Sequence, residues 1–126
     1  MAKSEHQKLK ILYVMNMFFE KTDEGHGITM EDIQRELEEN GINAERKSIY
    51  DDIAELRFFG LDIRKYSRDG HFYYNLAERD FDIADLRLLT EAVKSSSTLT
   101  HAEAGRLLKK LEGLASIYEA EEMKRG

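Results

Sequence analysis

Apolar residues fill nearly every position from Leu9 to Phe19, broken by Lys10 and Asn16, which predicts a first helix buried on more than one side. Ser4 and Gln7 ahead of it have capping-box spacing, and the polar, glycine-containing segment 21–27 predicts a loop. Thr29 and Asp32 then stand as an N-cap and its N3 partner, Ile28 and Ile33 as a hydrophobic staple, and Ile33 with Leu37 as an inward face. Asn40-Gly41 closes this helix. Asn43 is placed to cap the next one, expected over 44–59 with Ile49, Ile53 and Leu56 inward and Gly60 as its stop. Alternation predicts strands over 61–66 and 72–76, joined by Ser67-Arg68-Asp69-Gly70. With Ile63 and Tyr74 inward, Lys65 and Tyr73 are expected outward. Further on, Phe81 and Leu86 can staple around an Asp82 cap, and Leu86, Leu89 and Val93 form an inward face. SSSTLT interrupts the pattern. Thr100 with Glu103 restarts it as a long helix carrying Leu107, Leu111, Leu114 and Tyr118, and the polar tail EAEEMKRG is expected to be disordered.

The turn between the second and third helices is short enough to force a steep crossing, and a hairpin follows at once. The expected fold is therefore mainly α with a small β-hairpin: a winged helix-turn-helix over residues 1–78, then a C-terminal helical extension over 79–126.

Composition narrows the function classes. The 126 residues are 41% hydrophobic, enough for a real core. Cysteine is absent, which removes disulfides, thiolate metal sites and thiol nucleophiles and is compatible with the cytoplasm, the expected location. The N-terminal apolar run is too short for a membrane span and lacks a cleavage site, so neither membrane insertion nor secretion is expected. His6, His26, His71 and His101 are scattered without ligand spacing, and no phosphate loop or nucleophile elbow occurs. No metal, cofactor or enzymatic activity is expected. Asp51 and Asp52 project about 100° apart on a helix and cannot address one substrate atom, so Asp52 is expected to pair locally and Asp51 to be solvated.

Net charge is −6, so any nucleic-acid reading depends on where the cations lie. At the start of helix 44–59, Arg46, Lys47, Ser48 and Tyr50 supply cations and hydroxyls suited to phosphate or base edges. On the wing over 61–76, Arg64, Lys65 and Arg68 accompany His71 and Tyr73, suiting a minor groove or adjacent phosphates. The alternatives are a solvated helix face and a hairpin kept soluble by charge. The expected partner is double-stranded DNA.

The segment RKSIYDDIAEL, Arg46 to Leu56, resembles the recognition helix of the DeoR-like winged helix-turn-helix that begins WYL-domain transcriptional regulators, a pattern written R-T-I-x-R-D-I-x-x-L. Ser48, Ile49, Asp52, Ile53 and Leu56 fall on that pattern, and GHFYYNL and the later helices are similar to the family's wing and linker helices. The resemblance implies a DNA-binding transcriptional regulator. Asp51 departs from it, since many relatives carry arginine there. No WYL-like segment follows within these residues, which implies a fragment or a stand-alone regulator whose effector is not readable here. The leucine-rich last helix and over-apolar first one point to a homodimer, with half-sites about 34 Å apart or a multiple, the alternative for the leucine stripe being packing within the chain. The rival is a protein-interaction module that docks through Glu31, Asp32, Glu36, Glu38 and Glu39 and does not bind DNA.

Overall fold

A computed structural model describes residues 6–125, and the capping role expected of Ser4 lies outside them. The chain divides into two units, Met1–Glu78 and Arg79–Gly126. In the first, a 3-10 turn over Gln7–Leu9 leads into α1 (Lys10–Lys21), which buries Lys10, Val14, Met17 and Phe18. Burial on two sides was the expectation. Instead Leu9, Leu12 and Phe19 remain exposed, because the core provides a single surface for α1 to cover.

Segment 21–27 is tighter than a plain loop, since α1 reaches Lys21 and an isolated bridge joins Asp23 to His26. Thr29 starts α2 (Met30–Glu39) with a reciprocal capping box: its hydroxyl accepts from the Asp32 amide, and the Asp32 carboxylate accepts from its own amide. The helix ends in a Schellman motif, with Ile42 N–H to Leu37 C=O at 2.9 Å and Gly41 N–H to Glu38 C=O at 2.9 Å. Gly41 sits at φ 76°, a left-handed conformation that a Cβ would strain.

The third helix, α3 (Arg46–Phe59), starts two residues later than expected. Glu45 is its N-cap, without a side-chain bond, so Asn43 does not cap it; the Asn43 carbonyl instead accepts from the Gln7 side chain at 3.0 Å. After α3 come β1 (Ile63–Arg68) and β2 (His71–Leu76), antiparallel and paired from Ile63↔Leu76 to Arg68↔His71. The turn is shorter than the four residues expected: Asp69 at φ 51° and Gly70 at φ 80° form a two-residue primed turn that suits the strand twist. Ile28 adds a third rung, exchanging two 2.8 Å backbone bonds with Tyr74. The core joins Val14, Met17 and Phe18 of α1 to Ile33 and Leu37 of α2, Ile49, Ile53 and Leu56 of α3, and Ile63 and Leu76 of the hairpin. This is a winged helix-turn-helix.

The second unit consists of α4 (Ile83–Lys94), α5 (His101–Glu112) and α6 (Ile117–Arg125). Asp82–Asp85 and Thr100–Glu103 form capping boxes. The long last helix is broken, because Gly113 ends α5 and Ser116 opens α6 with a reciprocal Ser116–Glu119 pair at 3.0 and 3.1 Å. Tyr118 and the tail from Glu119 to Arg125 are therefore helical, which overturns the expected disorder over those residues. The inward face of α4 is also narrower than expected: Leu86 is buried, Val93 half-buried and Leu89 exposed.

Candidate nucleic-acid interface

Burial of Ile49, Ile53 and Leu56 fixes which side of α3 faces solvent, and polar contacts fix its position. The ammonium of Lys10, buried in α1, bonds to the Asp52 carboxylate and to the Ser48 carbonyl at 3.3 Å. Asp52 is thus not locally paired. Its partner lies 42 positions away, reached because α1 packs across α3. The Gln34 side chain donates to the Ala44 carbonyl at 3.2 Å, and Arg57 donates to the Ile63 carbonyl at 2.8 Å, tying both ends of α3 to neighbouring elements. A helix held at both ends presents its outer face in a fixed orientation.

At the N-terminal turn, Arg46 is exposed and paired with Glu31 of α2 at 2.5 Å, while Lys47 is exposed and enters no salt bridge among the described residues. Ser48 is half-buried, its hydroxyl donating to the Glu45 carbonyl at 2.9 Å. Tyr50 is exposed and meets the Tyr74 ring edge-on at 6.3 Å. Burial and the adjoining Tyr50 raise the Tyr74 phenol above its ordinary pKa. Asp51 is exposed.

The wing divides its cations between two faces. Pairing of Lys65 with Tyr74 and of Ile63 with Leu76 puts these four on the face toward α3, together with Phe72. Lys65 is exposed as expected, but it shares the face of Ile63 and Tyr74 and not that of Tyr73. Lys65 is exposed because its end of that face runs past the core, and its ammonium stands 4.3 Å over the Phe72 ring and 5.8 Å from that of Tyr74. The other face bears Arg64, Arg68, His71 and Tyr73. There Arg64 is forked onto Asp62 at 3.0 and 3.2 Å, and the half-buried Tyr73 stacks on Tyr66 at 5.3 Å. Arg68 and His71 are exposed beside the turn. Lys65 and Phe72 thus lie on the hairpin face toward α3, and the remaining wing candidates lie on the opposite face.

The last turn of α3 carries residues that the sequence reading passed over. Phe58 is 89% exposed and Phe59 78%. The signal was present: the inward series Ile49, Ile53, Leu56 next falls on Gly60, which leaves both phenylalanines off the core face. Among the described residues no group of three histidines or carboxylates is arranged to hold a metal ion, and no helix is long and apolar enough to cross a membrane.

A family model described as the D3 domain of FokI matches residues 12–68, from the first turn of α1 to the end of β1. The matched residues take in the helix-turn-helix and the first strand of the wing. No curated protein and no solved structure matches the chain.

Proposed function

We propose that this chain is the DNA-reading module of a cytoplasmic transcriptional regulator related to the WYL-domain group, without catalysis of its own and acting as a homodimer. The first turn of α3 enters the major groove, and the wing tip reaches the flanking phosphates or minor groove. The observation that carries this reading is the joint exposure of Arg46, Lys47 and Tyr50 on a helix locked at both ends, with Lys65 exposed on the hairpin face toward that helix. The FokI D3 match and the segment RKSIYDDIAEL support it. Ser48 serves by its place in the turn, since its hydroxyl is already bonded within the helix.

A protein-docking reading is favoured by different residues. Phe58 and Phe59 are exposed, Glu31 holds Arg46, and Asp51 and Glu55 add negative charge to the outer face of α3. Exchanging Arg46 and Lys47 for alanine separates the two readings. Under the DNA reading this pair of changes weakens binding to a random duplex by about 10-fold or more at low salt, and Phe58→Ser with Phe59→Ser leaves it unchanged. Under the docking reading neither pair changes duplex binding. Glu31→Ala sharpens the contrast, because releasing Arg46 should strengthen duplex binding.

A further inference from the structure

The second unit, Arg79–Gly126, holds little core for its length. Among its described residues Leu86, Ala115 and Ser116 are buried, whereas Phe81, Leu88, Leu89, Leu114, Ile117 and Tyr118 are exposed. Helix α4 explains much of this, because it is apolar on two sides. Ile83, Leu86 and Val93 lie toward α5 and α6 as a buried to half-buried stripe. On the opposite side Ala84, Leu88 and Ala92 follow at i, i+4 and i+8, all exposed, with Leu88 at 72%. A helix with two apolar stripes is normally covered on both.

The outer stripe reads the same in either direction: small, large, small, centred on Leu88. Two such helices laid antiparallel about a two-fold axis bring Leu88 against itself and Ala84 against the second copy's Ala92, and the alanines let the backbones approach closely. Charge selects the same arrangement. Arg87, which meets Glu122 of α6 at 3.8 Å, and Glu91 are exposed on one flank of the stripe, so antiparallel pairing brings the second copy's Glu91 near Arg87 as a further partner, on both sides of the axis. On the other flank Asp85 is engaged in the Asp82 capping box, and Leu89 widens the apolar strip.

We propose that the Ala84–Leu88–Ala92 face of α4 is where two copies of this chain pair. This rests on the homodimer of the proposed function and gives it a surface, replacing the leucine series of the last helix, which is broken at Gly113–Ser116. One leucine between two alanines, with Phe81 and Leu89 at the margin, offers few large anchors, so the dimer is reversible, with a dissociation constant on the order of 10 μM.

Sedimentation of the full chain across that concentration range is the test. Wild type should pass from monomer to dimer, Leu88→Glu should weaken pairing by about 100-fold, and Leu12→Glu on the exposed side of α1 should not change it. Should Leu88→Glu fail to fold by circular dichroism, Leu88→Cys decides. In a chain without native cysteine, mild oxidation should cross-link it to a covalent dimer far faster than Glu121→Cys. A wild-type monomer at about 500 μM, pairing by Leu88→Glu equal to wild type, or equal cross-linking at the two cysteine positions would each overturn the proposal. The DNA reading fails separately. Salt-dependent duplex binding by a monomeric chain would sink the pairing alone, and a dimer indifferent to duplex would sink the DNA reading alone.

Discussion

The two units treat apolar residues in opposite ways. In Met1–Glu78 three helices and a hairpin share one core of large side chains, with Phe18, Ile33, Leu37, Ile49 and Ile53 at 1% exposure or less. In Arg79–Gly126 capping boxes define the helices, yet Leu86 is the one large apolar side chain among the described residues that is buried. Local signals thus set the helix ends of the second unit over a thin core, whereas a large core holds the first. Under the proposed pairing the open surface at Leu88 is completed by a second copy, while the first unit carries its exposed helix, Phe58 and Phe59 included, on a finished core.

The largest test of that contrast is a pair of truncations. Phe18→Ala should destabilise the first unit by about 3–5 kcal/mol in denaturant unfolding, and Leu88→Ala should alter the unfolding of dilute monomer by less than about 0.5 kcal/mol. Comparable losses would break the comparison. Next in size is the ion pair that sets α3 on α1. Asp52→Ala strands the Lys10 ammonium in a buried setting and should remove about 3 kcal/mol, whereas Lys10→Met combined with Asp52→Leu should recover most of it.

The smallest effect belongs to the cap of α2. Burial works to raise the Asp32 pKa, but the Thr29 amide and the Arg35 guanidinium outweigh it and hold the carboxyl below its ordinary value. Its stabilisation is therefore complete above the unfolded carboxylate pKa near 3.9 and fades as pH falls through the lower folded value. Asp32→Asn should flatten that acid limb of the stability curve, and Thr29→Ala should subtract about 1 kcal/mol at neutral pH.

Much of the fold was legible in short-range chemistry. Thr29–Asp32 and Thr100–Glu103 act as the caps their spacing announces, Asp82 caps its helix as expected with Asp85 as the partner the structure adds, and Asn40-Gly41 ends its helix as a C-terminal cap should. The Ser116–Glu119 cap has the same spacing but was masked by the leucine periodicity running across it. Features set by distant packing were not legible. Lys10 meets Asp52 only because α1 crosses α3, and Lys65 is exposed on the same hairpin face that buries Ile63 because the core ends partway along it. The candidate site was legible as a set of residue types. Its division into Arg46 held by Glu31, Arg64 held by Asp62, and Lys47 and Arg68 outside any salt bridge among the described residues required three dimensions.

If α3 and the wing engage duplex phosphates, as proposed, the affinity of the full chain for a labelled random duplex, measured from about 50 to 200 mM salt, should fall linearly on a log–log plot by about 0.9 per phosphate neutralised, and Lys47→Ala should make that slope shallower by about one. A flat response from the wild-type chain would contradict that proposal.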